Sequence, residues 1–225
     1  MFEAIILAGG KGTRLKSVTG DLPKPMVDVG GQPFLYLIMK RLEKQGCRHI
    51  ILSLCYRADY IIERIKKDKP VDIAVDFCVE VEPLGTGGAI KLAANMIEND
   101  SFLVLNGDTY SELDYSDVAK FSEATDLVIC GVEVSDVSRY GTLEVDEFNN
   151  VKHLFEKGKS GKGIINSGTY VINKNSILSF ASDAFSFEQD YVQNFNLTFR
   201  AFISDGYFID IGIPEDYYKA CKVLK

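Results

Sequence analysis

Glycines and basic side chains lie together near the start of the chain, in a pattern suited to holding phosphate. The segment reads Leu7-Ala8-Gly9-Gly10-Lys11-Gly12-Thr13-Arg14-Leu15 and is followed by Pro23-Lys24-Pro25-Met26. Glycine lets backbone N–H groups approach an anion closely. Within residues 9–25, four basic residues against one aspartate give a charge of +3 in a chain of net charge −7. The composition predicts a phosphate-binding loop, with a glycine-rich surface turn as the alternative.

This loop matches neither of the two common glycine motifs that bind nucleotides. A P-loop requires Gly-Lys-Ser/Thr, whereas Gly10-Lys11 is followed by Gly12. The pattern G-x-G-x-x-G fails as well, because Gly10-Lys11-Gly12-Thr13-Arg14 runs into Leu15.

Two aspartates among apolar residues and glycines form a candidate metal site. Asp108 lies in Asn106-Gly107-Asp108-Thr109, directly after the apolar residues 102–105, and Asp210 lies in Phe208-Ile209-Asp210-Ile211-Gly212. Proteins bind Mg²⁺ through one or two carboxylates together with substrate phosphates. The two aspartates are therefore predicted to share one cation, with a structural turn and a backbone cap as the alternatives.

The elements that must position these groups follow from the hydrophobic pattern. Apolar runs at residues 4–8, 49–54 and 102–105 predict buried strands, and residues 72–82 alternate as a strand with one polar face. Helices are predicted near residues 34–45, 58–66 and 89–97, the last preceded by a glycine loop at residues 85–88. This order predicts a mostly parallel sheet with helices on both faces and ligands at the carboxyl ends of its strands.

After about residue 130 the strands lengthen and glycines multiply, which predicts a mixed or antiparallel extension. No linker or repeat separates the two parts. We therefore expect one domain over residues 1–225, with a cofactor-facing half at about 1–130 and a substrate-facing half at about 131–225.

Composition excludes several classes of protein. With 32 acidic and 25 basic residues, the surface should repel nucleic-acid backbones and anionic membranes. The apolar runs are too short to span a bilayer, and the N-terminus has no signal-peptide pattern. Five scattered cysteines indicate reduced thiols. We expect a soluble cytoplasmic protein that binds neither nucleic acid nor membrane.

Taken together, the motifs resemble the signature of the sugar-1-phosphate nucleotidyltransferases. Besides the first loop, the family's order is matched at residues 82–89, 106–108, 156–157, 166–170 and 210–212, so the resemblance covers essentially the whole chain. It implies a Rossmann-like nucleotide-diphospho-sugar transferase fold, with a nucleotide-binding first half and a sugar-phosphate half. It also implies Mg²⁺-dependent transfer of a nucleotidyl group to a sugar 1-phosphate, with release of pyrophosphate.

The resemblance assigns roles residue by residue. The catalytic residues are expected to be Arg14, Lys24, Asp108 and Asp210, with the two aspartates as Mg²⁺ ligands. The nucleotide-binding residues are expected to be Leu7, Ala8, Gly9, Gly10, Lys11, Gly12, Thr13, Arg14, Lys24, Glu80, Pro83, Gly85, Thr86, Asn106, Gly107 and Asp108. The sugar-phosphate-binding residues are expected to be Tyr140, Gly141, Glu156, Lys157, Asn166, Gly168, Tyr170 and Glu188. The chain departs from the family's frequent proline and threonine at Gly158 and Ile213.

Glu80 bears on the choice of base. Related thymidylyl- and uridylyltransferases carry a glutamine at about this place. An ionised carboxylate only accepts hydrogen bonds, and guanine presents adjacent N1–H and N2–H₂ donors. A buried acceptor left unpaired against uracil costs about 1–3 kcal/mol. Glu80 therefore favours GTP, and a side chain that simply faces solvent is the alternative.

Within the family, the chain most resembles compact bacterial guanylyltransferases that act on D-glycero-α-D-manno-heptose 1-phosphate, which supply capsule or surface-layer glycans. The alternatives are a mannose-1-phosphate guanylyltransferase, a uridylyl- or cytidylyltransferase for another sugar 1-phosphate, and a non-catalytic sugar-nucleotide sensor. A sensor is expected to lose the catalytic residues, and all four are present. Tyr217 and Tyr218 could seat a second copy, so a homo-oligomer is left open.

Overall fold

A computed structural model describes residues 1–121, 125–155, 158–193 and 197–224. Its strands are β1 (Phe2–Leu7), β2 (Asp28–Val29), β3 (Gln32–Pro33), β4 (Cys47–Leu54), β5 (Ala74–Val79), β6 (Ser101–Asn106), β7 (Thr109–Ser111), β8 (Leu127–Val134), β9 (Thr142–Val145), β10 (Val151–Phe155), β11 (Gly163–Asn173), β12 (Phe199–Ser204) and β13 (Phe208–Asp210). Its α-helices are α1 (Lys16–Thr19), α2 (Phe34–Lys44), α3 (Ala58–Asp68), α4 (Gly85–Ala94), α5 (Tyr115–Phe121), α6 (Lys174–Leu178) and α7 (Pro214–Val223). Short 3₁₀ turns occur at Thr13–Leu15 and Lys24–Met26, and Phe187–Val192 is π-helical.

Within the described residues, nine strands form one mixed sheet. Its order is β10-β9-β11-β6-β1-β4-β5, and β8 pairs with both β11 and β12. The first half of the chain is parallel as predicted, because β1 pairs in parallel with β4 and β6, and β4 with β5. In the second half, β11 runs antiparallel to β6, β8 and β9, while β12 is parallel to β8. The mixed extension after about residue 130 is therefore confirmed.

Helices cover both faces of this sheet, and each face has its own core. Buried apolar side chains of α2, α3, α5 and α7 pack on one face, and those of α4 and α6 pack on the other. Helix α2 follows Pro33 and ends at Lys44, close to the predicted bounds, and Gly46 adopts φ 90° before β4. Among the described residues, no helix combines the length and apolar character that crossing a membrane requires.

Two local predictions are wrong. The alternation over residues 72–82 predicts a longer strand, but β5 ends at Val79, and Val81 is 99% exposed. Among the described strands, β5 pairs with β4 alone and forms the edge of the sheet, so pairing on one side is all that supports an extended chain beyond Val79. The predicted loop at residues 85–88 is instead the first turn of α4, which ends at Ala94 rather than near residue 97.

A buried carboxylate fixes the start of β1. The side chain of Glu3 is 1% exposed, and its Oε2 accepts hydrogen bonds from the N–H groups of Glu98 (2.9 Å) and Asn99 (2.7 Å). His49 Nδ1 lies 3.2 Å from Glu3 Oε1, and an Arg48 nitrogen lies 3.5 Å from Oε2. Burial alone would raise the pKa of Glu3, but these donors outweigh it and hold the pKa below 4.5.

Replacing Glu3 with glutamine is expected to lower the free energy of unfolding by about 2 kcal/mol near neutral pH. A carboxyl whose pKa is lowered on folding stabilises the protein above its unfolded pKa, and this contribution disappears as pH falls through the folded value. Urea unfolding of Glu3→Gln should therefore approach the wild-type value at acid pH. Glu98→Gln, which changes an exposed partner of Arg48, is the matched control and should cost less than about 1 kcal/mol.

Candidate active site

The carboxyl ends of β1, β4 and β6 open into a cleft of about 670 Å³, called the first cleft. The glycine loop follows β1, and Asn106 to Asp108 follow β6, its parallel neighbour. The lining includes every residue predicted to bind the nucleotide: Leu7, Ala8, Gly9, Gly10, Lys11, Gly12, Thr13, Arg14, Lys24, Glu80, Pro83, Gly85, Thr86, Asn106, Gly107 and Asp108. The structure thus brings the loop after β1 and the turn after β6, which are about a hundred residues apart in the sequence, into one site.

Close approach to Lys24 explains the third glycine of the loop. Gly12 has a left-handed backbone at φ +59°, and a Cβ atom built there would lie 2.7 Å from Lys24 Cβ. Any side chain at this position would therefore be strained and would displace the lysine.

Lys24 lies between the two aspartates predicted to bind metal. Its Nζ is 2.5 Å from Asp108 Oδ2 and 3.6 Å from Asp210 Oδ1, and Lys24 is only 7% exposed. Pairing of β13 with β7 places Asp210 opposite Thr109, and Ile211 N–H donates to the carbonyl of Asp108 at 3.0 Å. Two carboxylates from distant segments therefore meet at Lys24, which lines the first cleft.

Electrostatics make this acidic pair a suitable place for a cation. Burial raises the pKa of Asp210, the negative charge of Asp108 raises it further, and Lys24 opposes both effects. In the described part of the chain, no group of three or more His, Cys, Asp or Glu residues could hold a metal ion. A pair of carboxylates beside a phosphate site nevertheless fits Mg²⁺, which completes its shell with substrate oxygens and water.

A second cleft, of about 460 Å³, adjoins the first and shares Arg14, Asn106 and Asp108 with it. Its lining includes five of the residues predicted to bind the sugar phosphate, namely Tyr140, Gly141, Asn166, Gly168 and Glu188. Asp210 lines this cleft as well. The predictions for Glu156 and Lys157 lie outside the described residues.

Tyr170 lies behind the wall of the second cleft rather than on it. It is 3% exposed, and its hydroxyl donates to Glu188 Oε1 at 3.0 Å and accepts from Asn166 Nδ2 at 2.9 Å. Asn166 Nδ2 also donates to the same carboxylate oxygen at 3.1 Å. Burial, and then the charge of Glu188, raise the pKa of Tyr170, so its hydroxyl stays protonated as a donor. These three side chains form a connected network, with Glu188 exposed to the cleft.

This arrangement agrees with what known proteins show. The family model described as nucleotidyl transferase matches residues 3–225. The chain belongs to the nucleotidyl transferase family. Two relatives carry the name D-glycero-α-D-manno-heptose 1-phosphate guanylyltransferase. The protein from Campylobacter jejuni is 43% identical over 96% of this chain and 97% of its own length. The protein from Aneurinibacillus thermoaerophilus is 41% identical over 99% and 98%.

Solved structures support the same fold for this nucleotidyl transferase. The crystal structure of HddC from Yersinia pseudotuberculosis is 58% identical, with a TM-score of 0.95 over the full length of both chains. The same protein complexed with GMP-PN has a TM-score of 0.94. The chain therefore has the nucleotide-diphospho-sugar transferase fold that its motifs implied.

Some lining residues of the first cleft were not predicted from the sequence of this nucleotidyl transferase, and three of them cluster at one strand end. Ser53, Cys55 and Tyr56 lie at the carboxyl end of β4, between the loop after β1 and Glu80 after β5. No motif marks them. The rule that ligands bind at the carboxyl ends of parallel strands, applied to β4 as it was to β1 and β6, could have found them.

Gly168 is expected to be intolerant of a side chain. Its φ is +70°, and a Cβ atom there would lie 2.3 Å from Nδ2 of Asn106, which lines both clefts. Gly168→Ala should displace Asn106 and lower kcat/KM for nucleotidyl transfer about tenfold. Gly161→Ala is the matched control, because Gly161 has φ +89° with nothing within 4 Å of the added atom. Equal kcat/KM for the two variants would contradict the role given to Asn106.

Proposed function

We propose that this nucleotidyl transferase makes GDP-D-glycero-α-D-manno-heptose and pyrophosphate from GTP and D-glycero-α-D-manno-heptose 1-phosphate. The observation that carries the proposal is the meeting of two clefts at Arg14, Asn106 and Asp108, one lined by the glycine loop and the other by a hydroxyl-binding network. The names of the two full-length relatives and the GMP-PN complex of HddC support the choice of substrates.

In this reaction an oxygen of the sugar phosphate attacks the α-phosphorus of GTP in line, and pyrophosphate leaves. The attacking phosphate is already ionised near neutral pH, so no general base is needed. Two polyanions must be brought together, and catalysis comes mainly from positioning and charge neutralisation. Arg14 lines both clefts and would therefore contact both substrates. Lys11 and Lys24 add positive charge to the first cleft, where GTP would bind.

Asp108 and Asp210 would hold Mg²⁺, which supplies further neutralisation of the phosphate charge when bound. Lys24 contacts both aspartates and also lines the first cleft. Its ammonium group can therefore hold the acidic pair in place and bind a phosphate oxygen near the reacting centre.

Base choice is assigned to Glu80. One of its carboxylate oxygens, Oε2, accepts the N–H of Leu84 at 2.9 Å, which orients the side chain where it lines the first cleft. An oriented carboxylate pairs with the two adjacent donors of guanine and offers no donor to uracil or thymine. In the second cleft, the Glu188 carboxylate and the Asn166 amide would bind sugar hydroxyls.

The test is pyrophosphate release with Mg²⁺, with GTP, CTP, UTP, ATP and dTTP each offered against mannose 1-phosphate and D-glycero-α-D-manno-heptose 1-phosphate. Release confined to GTP with the heptose phosphate is expected. Preference for mannose 1-phosphate, or for another base, would reject the proposed substrate while leaving the family unchanged. No release with any pair would favour a non-catalytic sensor.

A further inference from the structure

A segment from the second half of the chain crosses the N-terminus of α4 and is bonded to it by backbone groups. Phe185 N–H donates to the Leu84 carbonyl at 2.9 Å, and the Phe185 carbonyl accepts the N–H of Gly87 at 3.0 Å. One residue pair further on, Phe187 N–H donates to the Thr86 hydroxyl at 3.1 Å. Gly88 N–H also donates to the Phe185 carbonyl at 3.4 Å, so several hydrogen bonds fix the segment to the wall of the first cleft.

The glycines of α4 make this contact possible. A Cβ atom on Gly87 would lie 2.2 Å from the ring of Phe185, and one on Gly85 would lie 2.5 Å from the Phe185 carbonyl oxygen. The segment can pack this closely on α4 because Gly85 and Gly87 have no side chains. The Gly87 N–H that a phosphate could have used is already bonded to Phe185.

The bonded segment leads directly to Glu188. Phe187 is 2% exposed, whereas the next residue, Glu188, is exposed in the second cleft and receives hydrogen bonds from Tyr170 and Asn166. Among the hydrogen bonds described between residues 84–88 and residues 185–187, the Thr86 hydroxyl is the only side-chain group, and Phe187, which it binds, directly precedes Glu188 in the sequence.

We propose that Thr86 is a positioning residue for Glu188. A side chain that lines the first cleft would then fix the position of a carboxylate in the second cleft. This inference rests on the proposed function, in which Glu188 binds sugar hydroxyls. Valine has the shape of threonine but cannot accept a hydrogen bond, and it would leave the buried Phe187 N–H unpaired. The segment would then shift to pair that group, and a shift of about 1 Å at a binding carboxylate is enough to impair binding.

The experiment compares KM and kcat of Thr86→Val and Thr86→Ser with wild type, for GTP and for the heptose 1-phosphate separately. Thr86→Val should raise KM for the sugar phosphate about tenfold, a change that loss of a nucleotide contact by Thr86 would not by itself produce. Thr86→Ser, which keeps the hydroxyl, should restore the wild-type KM. In a Glu188→Gln background, Thr86→Val should have little further effect, because both changes act on the same contact.

Thr198→Val is the matched control. The Thr198 hydroxyl also joins two distant segments, because it donates to Asp126 Oδ2 at 2.7 Å and accepts the Asp126 N–H at 3.3 Å, and Thr198 lines neither cleft. Loss of the Thr198 hydroxyl should lower the melting temperature without changing KM for the sugar phosphate. If wild type is active and Thr86→Val alters only stability or KM for GTP, or adds its full effect to Glu188→Gln, the inference is wrong and the proposed function stands. An inactive wild type would overturn both.

Discussion

Replacing Asp108 with asparagine should lower kcat for pyrophosphate release about a thousandfold. The substitution keeps the shape of the side chain but removes one of the two charges that would hold Mg²⁺. It also removes the 2.5 Å ion pair with Lys24, whose ammonium group retains Asp210 at 3.6 Å as a partner. We therefore expect the fold to survive while transfer is lost, as measured by steady-state turnover over a range of Mg²⁺ concentrations.

Asp117→Asn provides the control for this measurement, because its carboxylate is exposed on α5 and paired only with Lys120 among the contacts of the described residues. Its kcat should match that of wild type. An Asp108→Asn enzyme with full Mg²⁺-dependent turnover would show that the acidic pair holds no catalytic metal. A much lower melting temperature would point to a structural role for the ion pair instead.

Replacing Glu80 with glutamine should reduce the preference for GTP over UTP by about ten- to hundredfold in kcat/KM. The wild-type carboxylate can accept from Leu84 N–H and still offer oxygen to both guanine donors. A glutamine has a single oxygen. When that oxygen faces Leu84, its NH₂ group faces the guanine donors and repels them, whereas it can donate to a uracil carbonyl.

Glu82→Gln makes the same chemical change two residues away, at an exposed position that does not line the first cleft. Its ratio of kcat/KM for GTP and UTP should equal that of wild type. An unchanged ratio in Glu80→Gln would remove Glu80 from base selection and leave Tyr56 and Ser53, which line the same cleft, to be tested.

The sequence was informative where the end of a buried strand carries glycines, basic residues or an aspartate. The loops after β1 and β6 are marked by glycine, charge and an aspartate, and they form the first cleft as predicted. The predictions failed where the decisive partner is remote. Residues 85–88 form a helical turn against Phe185, about a hundred positions downstream, and no local pattern announces that contact. Tyr170 matches the sugar motif, but its side chain is buried behind Asn166, and the sequence does not show this burial.

The residues common to both clefts also bear on what happens after the bond has formed. Arg14, Asn106 and Asp108 line both clefts, so the two clefts adjoin at these residues. The nucleotide sugar of the proposed reaction would occupy both clefts, and each bound half would raise the effective concentration of the other. Pyrophosphate has no such second anchor. The residues at which the two substrates would meet would therefore also hold the joined product, and departure of that product would set the pace of turnover.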